Sequence, residues 1–328
     1  MITRVLVTGA TGFIGYEVAR LLAARGLRPR LMIRRPERGL LLRRLDAELV
    51  HGDLESPESL ERAVSGMEAV IHLGARAAFE GYRRLESTIV HGSESLIVAA
   101  EKAGVRNFVY GSSMLVYGDE PAPIDAATAP RPGLAYGRAK LETERRLSAI
   151  ADRSGMRLAS VRLPHVYGAR DLFFPRISRG RVLIPGRGGN LYAHLHVRDA
   201  ARVLVAAAET PIRGCWPVSD QRATTWPEFF NVVRNYYPRF RFVRLPKGLA
   251  FLGTLLLRPA QLIQRRPTIL TSGSVLAWNL NLPVDPNVLW RELGLDPEYP
   301  TIDEGIPAAL DECVAFRWLH PFDDKQGW

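Results

Sequence analysis

Cysteine is nearly absent: Cys215 and Cys313 are the only two in 328 residues. They match no metal-ligand spacing and form no disulfide framework, so no metal site is expected and a reducing compartment is. Lysine is scarce as well, with four of the 44 basic residues lysine and the other 40 arginine. The formal net charge of +10 comes from arginines spread through the chain, as at Arg25, Arg62, Arg145 and Arg202, not gathered in one tract. A composition bias explains such scatter better than a nucleic-acid surface, although the positive field favours anionic ligands, a phosphorylated cofactor among them. Long hydrophobic runs are missing too. The strongest, residues 249–257, is too short to span a bilayer. The N-terminus runs directly into an apolar strand, so no signal peptide is expected, and the chain reads as cytoplasmic. Repeats and low-complexity segments are absent. At this length one large α/β domain or two smaller ones can form, with ample core.

What the chain does carry begins at Val5-Leu6-Val7, an apolar strand followed at once by Thr8-Gly9-Ala10-Thr11-Gly12-Phe13-Ile14-Gly15. Strand, glycine turn and helix start, in that order, make a dinucleotide site. Gly9 can adopt turn angles, Gly12 lets the backbone approach a pyrophosphate, and Gly15 lets the helix pack close to the strand. The helix N-terminus then offers free N–H groups and a positive dipole end. Strand patterns recur at 4–8, 30–33, 48–51, 69–73, 108–110 and 158–162, with helical patterns at 14–25, 57–65, 85–103 and 135–154. Repeated βα units with apolar strands imply a parallel sheet covered on both faces. Beyond Pro164 the pattern loosens. Helices are expected at 198–209, 226–236, 246–264 and 301–318, with a strand at 214–218.

The glycine spacing, Gly-x-x-Gly-x-x-Gly, resembles that of the short-chain dehydrogenase/reductase superfamily. So does Tyr136-Gly137-Arg138-Ala139-Lys140, a Tyr-x-x-x-Lys pair about 120 residues later. Ser112-Ser113-Met114-Leu115-Val116-Tyr117-Gly118, His72-Leu73-Gly74-Ala75, Arg162-Leu163-Pro164-His165-Val166-Tyr167-Gly168 and His196-Val197-Arg198-Asp199 resemble motifs of its extended, epimerase/dehydratase branch. The resemblance is specific up to about residue 200 and continues loosely through Leu293-Gly294 and Glu304-Gly305. It implies a Rossmann-type doubly wound parallel sheet with a small, mostly helical C-terminal substrate lobe. The division falls at 1–164 for cofactor and catalytic groups and 165–328 for the substrate side, some later segments returning to the sheet.

Tyr136 and Lys140, four apart, project from one helix face. A phenol titrates near 10 in water, and a neighbouring cation favours its phenolate, moving it toward the working range. The resemblance assigns Tyr136 as acid/base, Lys140 to the ribose hydroxyls and Ser113 to the substrate oxygen; Ser112 is the alternative to Ser113. Expected cofactor contacts are Gly9, Thr11, Gly12, Phe13, Ile14, Gly15, Asp53, Leu54, Leu73, Gly74, Ala75, Tyr136, Lys140, Pro164 and Val166. Arg34-Arg35 follows the second strand, where an acid would bind a ribose 2′-hydroxyl, so NADP is favoured over NAD. Exposed arginines with no ligand would explain the same residues.

Several positions depart from the family pattern. Ile89 stands where many members have an asparagine, three residues before the matched Gly92, so a proton relay through that side chain is lost. Tyr192 occupies the place of the diphosphate-binding arginine of nucleotide-sugar epimerases, and His165 replaces their asparagine. The chain looks most similar to the 3β-hydroxysteroid dehydrogenase and dihydroflavonol reductase groups. Leu249–Leu257, Leu262, Ile263 and the segment from Arg266 to Thr271 support this, and a plain core helix is the alternative reading of the apolar residues. The activity implied is ketone–alcohol interconversion on a hydrophobic small molecule such as a sterol, isoprenoid, polyketide or long-chain keto compound. A nucleotide-sugar epimerase or dehydratase, and a non-catalytic dinucleotide sensor, are the alternatives. A homodimer through the helices at 85–103 and 135–154 is the assembly the resemblance suggests.

Overall fold

The computed structural model describes residues 2–76, 79–171, 173–264 and 271–321, with backbone alone for Pro175 and residues 257–264. Residues 266–270, and the side chains of Leu262 and Ile263, therefore lie outside the described residues. Strands β1 (Val5–Thr8), β2 (Arg30–Ile33), β3 (Glu48–His51), β4 (Ala69–His72), β5 (Asn107–Ser113) and β6 (Arg157–Leu163) alternate with helices α1 (Phe13–Ala24), α2 (Pro57–Val64), α3 (Tyr82–Glu86), α4 (Gly92–Lys102) and α5 (Ala135–Ser154). In the second half come β7 (His165–Tyr167), β8 (Arg181–Pro185), β9 (His194–His196), α6 (Val197–Glu209), β10 (Gly214–Pro217), α7 (Trp226–Tyr236), β11 (Arg241–Leu245) and α8 (Lys247–Gln264). Helices α9 (Ser272–Ala277), α10 (Val288–Leu293) and α11 (Ile302–Ala315) close the described chain.

Seven strands form one parallel sheet in the order β10-β6-β5-β4-β1-β2-β3. Residues one apart in a strand face opposite sides, and the apolar runs serve both. Val5 and Val7 pack under α1 and α6, whereas Leu6 between them packs with Met32, Val70 and Phe108 under α2, α4 and α5. The strand order reverses between β1 and β4, and open α/β sheets bind ligands at such a switch point, beyond the carboxyl ends of the strands.

Two expected features come out differently. The stretch 85–103 is not one α-helix: a π turn over Ser87–His91 separates α3 from α4. The second half, helical for the most part, also holds two small parallel sheets, β8 with β11 and β7 with β9, whose strands are too short for their periodicity to stand out. Segments of the second half return to the main sheet, since β10 pairs with β6 and α6 packs against α1. The core of this half is aromatic, with Tyr167, Phe174, Trp226, Phe229 and Phe230 all buried and Tyr117 of the first half joining them. Gly305 in α11 is required by it: a Cβ there would lie 2.0 Å from the Tyr167 hydroxyl oxygen.

Candidate active site

The glycine loop crosses the switch point. Gly9 has φ of +71°, and a Cβ on it would sit 2.6 Å from the Leu73 carbonyl carbon and 2.7 Å from the Gly74 nitrogen. Its carbonyl accepts the Gly12 N–H at 2.9 Å. Gly15 is equally constrained, because its Cβ would lie 2.2 Å from the Gly9 oxygen. Gly12 itself is exposed and meets nothing closer than that same oxygen at 3.1 Å, and no side chain caps α1. The first N–H groups of α1 thus point at open space that a Cβ would begin to fill, which suits a pyrophosphate. Thr11 is exposed; Phe13 and Ile14 are half-buried, with the Phe13 ring 3.2 Å from where a Gly168 Cβ would stand.

Next to the loop, the end of β4 is tied down by a chain of hydrogen bonds. Thr8 Oγ1 accepts the Gly74 N–H at 3.1 Å and lies 2.6 Å from His72 Nδ1; His72 Nε2 lies 2.8 Å from Ser93 Oγ, which reaches the Ile89 carbonyl at 2.6 Å. Because Ser93 must donate to that carbonyl, its oxygen accepts from Nε2–H, and His72 accepts from Thr8. Every group is satisfied with a neutral imidazole, and burial pushes the His72 pKa down to about 3. His72 is therefore structural. Ile89 takes part through its backbone, its carbonyl also accepting from the Thr143 hydroxyl at 3.0 Å.

Arg34 and Arg35 follow β2, both exposed and without an ion-pair partner among the described residues. Beside them the Gly52 N–H donates to the Ile33 carbonyl at 3.1 Å, opening the turn in which Asp53 is half-buried. Leu54 turns inward under Gly92, whose Cβ would stand 2.8 Å from the leucine Cβ. Ala75 packs with Leu85, Ile89 and Ala139. Half-buried Pro164 and Val166 lie at the β6–β7 junction, Val166 registered with Leu195 of β9.

Tyr136 and Lys140 stand on the first two turns of α5, and Glu144 continues the same face at i+8. Lys140 is buried and donates to the Gly111 carbonyl of β5 at 2.7 Å, its Nζ 5.8 Å from the Tyr136 ring centroid and 4.6 Å from that of Tyr110. Burial lowers its pKa to about 7, opposed by Glu144. The Tyr136 phenol is not pulled down by this neighbour: burial dominates and raises it to about 12. The expected phenolate-favouring shift is absent because a lysine that is itself desolvated and turned toward a carbonyl offers little charge.

The two serines of β5 separate by the alternation of the strand. Ser112 points inward and donates to Glu144 Oε1 at 2.6 Å; Ser113 is half-buried, and among the described residues its oxygen accepts only the Leu115 N–H at 3.3 Å. Glu144 in turn holds Arg162 of β6 bidentately, at 2.7 and 3.0 Å, and Arg162 donates to the Tyr117 hydroxyl at 2.7 Å. This buried pair, which sequence reading missed, fastens α5 to β5 and β6. Its signal was present: an arginine inside an apolar strand, and a third polar residue on the Tyr136–Lys140 face.

Tyr136 packs against an aromatic cluster, and half-buried Phe79, Phe173 and Trp278 pack against the same cluster. Phe79 lies 6.1 Å from Tyr136; Phe173 lies 5.3 Å from Trp278 and 5.6 Å from His165, and Trp278 stacks on Trp226 at 4.0 Å. His165 Nδ1 is 2.9 Å from His194 Nδ1, and burial pushes the His165 pKa down to about 3. Tyr192, 8% exposed, packs 5.2 Å from Trp226. The His196–Asp199 motif is a clamp: Asp199 accepts the Glu298 and Tyr299 N–H groups at 2.7 and 2.8 Å, and Arg198 binds Glu312 and the Tyr299 hydroxyl. Among the described side chains of helix α8, Leu249, Leu252, Leu255 and Leu256 are exposed and do not belong to this cluster. Among the described residues no cluster of histidine, cysteine or acidic side chains is placed to hold a metal ion, and no helix is long and apolar enough to cross a membrane.

Comparison with known proteins agrees with this geometry. The model of the NAD dependent epimerase/dehydratase family matches residues 5–215. The chain is 32% identical to ceramide reductase of Caulobacter vibrioides, over 99% of this chain and 95% of that protein. It is 30% identical to sterol demethylase protein B of Methylococcus capsulatus, over 89% and 93%. Among solved structures, UDP-glucose 4-epimerase of Thermotoga maritima matches with a TM-score of 0.78 and 25% identity, over 96% of this chain and 99% of that one. The glycine loop at the switch point, the Tyr136–Lys140 face and these matches lead to one conclusion: the chain belongs to the NAD dependent epimerase/dehydratase family, the extended short-chain dehydrogenases/reductases, and is an NAD(P)-dependent enzyme.

Proposed function

We propose that the protein interconverts a ketone and a secondary alcohol on a hydrophobic small molecule, with Tyr136 as acid/base. The observation that carries this reading is the aromatic cluster against which Tyr136 packs. The place of the epimerases' diphosphate-binding arginine holds Tyr192, a buried ring packed on Trp226, and around it stand Trp278, Phe173 and His165. A diphosphate buried there would lack its cation, whereas an apolar skeleton would gain roughly 25 cal/mol for each Å² removed from water.

The dinucleotide would lie across Gly9, Gly12 and the N-terminus of α1, with Asp53 at the adenine, Leu73 to Ala75 along the adenosine ribose, and Lys140 at the nicotinamide ribose. When bound, its nicotinamide supplies or accepts the hydride. Arg34 and Arg35, unpaired at the end of β2, favour the 2′-phosphate of NADP. A Tyr136 phenol raised to about 12 by burial is held protonated, which is the state needed to donate a proton to a substrate oxygen in carbonyl reduction. Ser113, whose hydroxyl hydrogen remains free to donate, supports the same oxygen as charge develops. Functionally we divide the chain at residue 164, cofactor and proton donor before it and substrate wall after it.

A screen of ketones graded by hydrophobicity against NADPH oxidation tests the proposal. Turnover should rise with apolar character and consume one NADPH per alcohol formed; no response to any ketone would reject it. The likeness to UDP-glucose 4-epimerase favours a second reading, an epimerase that consumes no net cofactor. Strong thermal stabilisation by a UDP- or dTDP-sugar would select it.

A further inference from the structure

Charge along the chain is less even than the scatter of arginines suggests. Between Glu228 and Asp285 there is no acidic residue, yet eight basic ones fall there, from Arg234 to Arg266. In their midst runs α8. Four of its leucines face outward: Leu249 is 57% exposed, Leu252 52%, Leu255 44% and Leu256 74%. Among the described side chains of α8 only the small residues Ala250 and Thr254 are buried, and the helix rests on α9. The strand that leads into it carries Val243, exposed and registered with exposed Leu183 on β8. Single exposed leucines are ordinary on a protein surface, whereas a run of them along one helix marks an interaction surface.

The surroundings of these leucines say what the partner is. Arg241, Arg244 and Lys247 are exposed and have no ion-pair partner among the described residues. An apolar helix edged by unpaired cations, too short in its apolar run to cross a bilayer, is suited to lie in a lipid–water interface. A second copy of the chain is disfavoured, because a two-fold contact through this helix would bring the exposed cations Arg241, Arg244 and Lys247 of the two copies together. We propose that α8 docks on an anionic bilayer surface, its leucines entering the acyl boundary while Arg241, Arg244 and Lys247 meet the headgroups. The location matters for access. Helix α9, under α8, brings Gly273 against Phe79, a Cβ there standing 3.0 Å from the Phe79 Cβ, and the Phe79 ring is the neighbour of Tyr136. The docking face is one helix away from the tyrosine.

Co-sedimentation of the full chain with vesicles of phosphatidylcholine, alone or with phosphatidylglycerol, tests this without any turnover, so its outcome is separate from that of the substrate reading. The chain should partition onto the phosphatidylglycerol vesicles. Leu252→Ser/Leu256→Ser should lower the partition coefficient at least about tenfold while leaving the thermal midpoint unchanged, as the removed groups touch solvent. Arg241→Glu/Lys247→Glu should lower it at least about tenfold, and Arg62→Glu/Arg145→Glu, the same charge change elsewhere, less than about threefold. The proposal is overturned by absence of binding to the anionic vesicles. It is equally overturned by a leucine variant that binds like the wild type, which would leave charge alone. A dimer that the leucine variant converts to monomer would assign the face to a second copy and overturn it too.

Discussion

Replacing Glu144 by glutamine keeps the shape of the side chain and removes its charge, in a place where that charge has specific work. The carboxylate accepts from Arg162 at 2.7 and 3.0 Å and from Ser112 at 2.6 Å, with the arginine and glutamate side chains 5% and 3% exposed. In Glu144→Gln an NH₂ group must face an N–H donor, and the buried guanidinium keeps one glutamine oxygen and the Tyr117 hydroxyl as partners but loses its counter-charge. Breaking one side of a buried ion pair costs about 3–5 kcal/mol, a large share of the roughly 5–15 kcal/mol that holds a domain folded. Urea unfolding followed by tryptophan fluorescence should show this loss. The double variant Glu144→Leu/Arg162→Met should recover most of it, since apolar replacement of a whole buried pair is often neutral. A loss below about 1 kcal/mol in the single variant, or a double variant as unstable as the single, would refute the assignment of this pair as the clamp between α5 and the sheet.

Other expectations follow from the same geometry. Arg34→Ala/Arg35→Ala should weaken NADPH about tenfold or more and leave NADH within twofold, by fluorescence titration; an unchanged preference would remove these arginines from the site. Gly15→Ala, whose methyl would lie 2.2 Å from the Gly9 oxygen, should cost about 1–3 kcal/mol of stability and abolish measurable cofactor binding, and normal binding would show that α1 can withdraw from the loop. Lys140 is held near 7 in the folded protein by burial, below the ordinary lysine range. The unfolded chain therefore binds the extra proton, and this group's contribution favours folding increasingly as pH rises from about 7 toward the ordinary lysine pKa. Lys140→Met should be most stabilising relative to wild type near pH 6.5 and least near pH 10 in urea titrations, and a pH-independent difference would contradict the assigned shift.

Much of the fold was legible because its local rules agree with its global ones. The run Val5-Leu6-Val7, apolar on both faces, fits a strand buried on both sides, and the spacing of Gly9, Gly12 and Gly15 fits the positive φ and the close approaches found there. Helix α5 matched its pattern residue for residue. Polar pairing inside the core was harder to read. Whether Glu144 meets Arg162, or His165 meets His194, depends on tertiary placement that no periodicity encodes. The π turn at Ser87–His91 was hidden for a similar reason: its carbonyl at Ile89 is held by the Ser93 and Thr143 hydroxyls, the second from another helix. Leu249, Leu252, Leu255 and Leu256 show how far a hydrophobic stripe can mislead. Their spacing is equally that of a core face and of an outward one, and only burial tells the two apart.

The central claim is that Tyr136 moves the proton in a net reduction. The measurement that bears on it most directly is NADPH oxidation with an apolar ketone, product alcohol quantified, in wild type and Tyr136→Phe side by side. The account predicts one alcohol per NADPH in the wild type. In Tyr136→Phe it predicts a fall in kcat of about 10²- to 10⁴-fold, with the cofactor Kd within twofold. Full turnover by Tyr136→Phe, or interconversion of a sugar nucleotide with no net NADPH consumed, would contradict it.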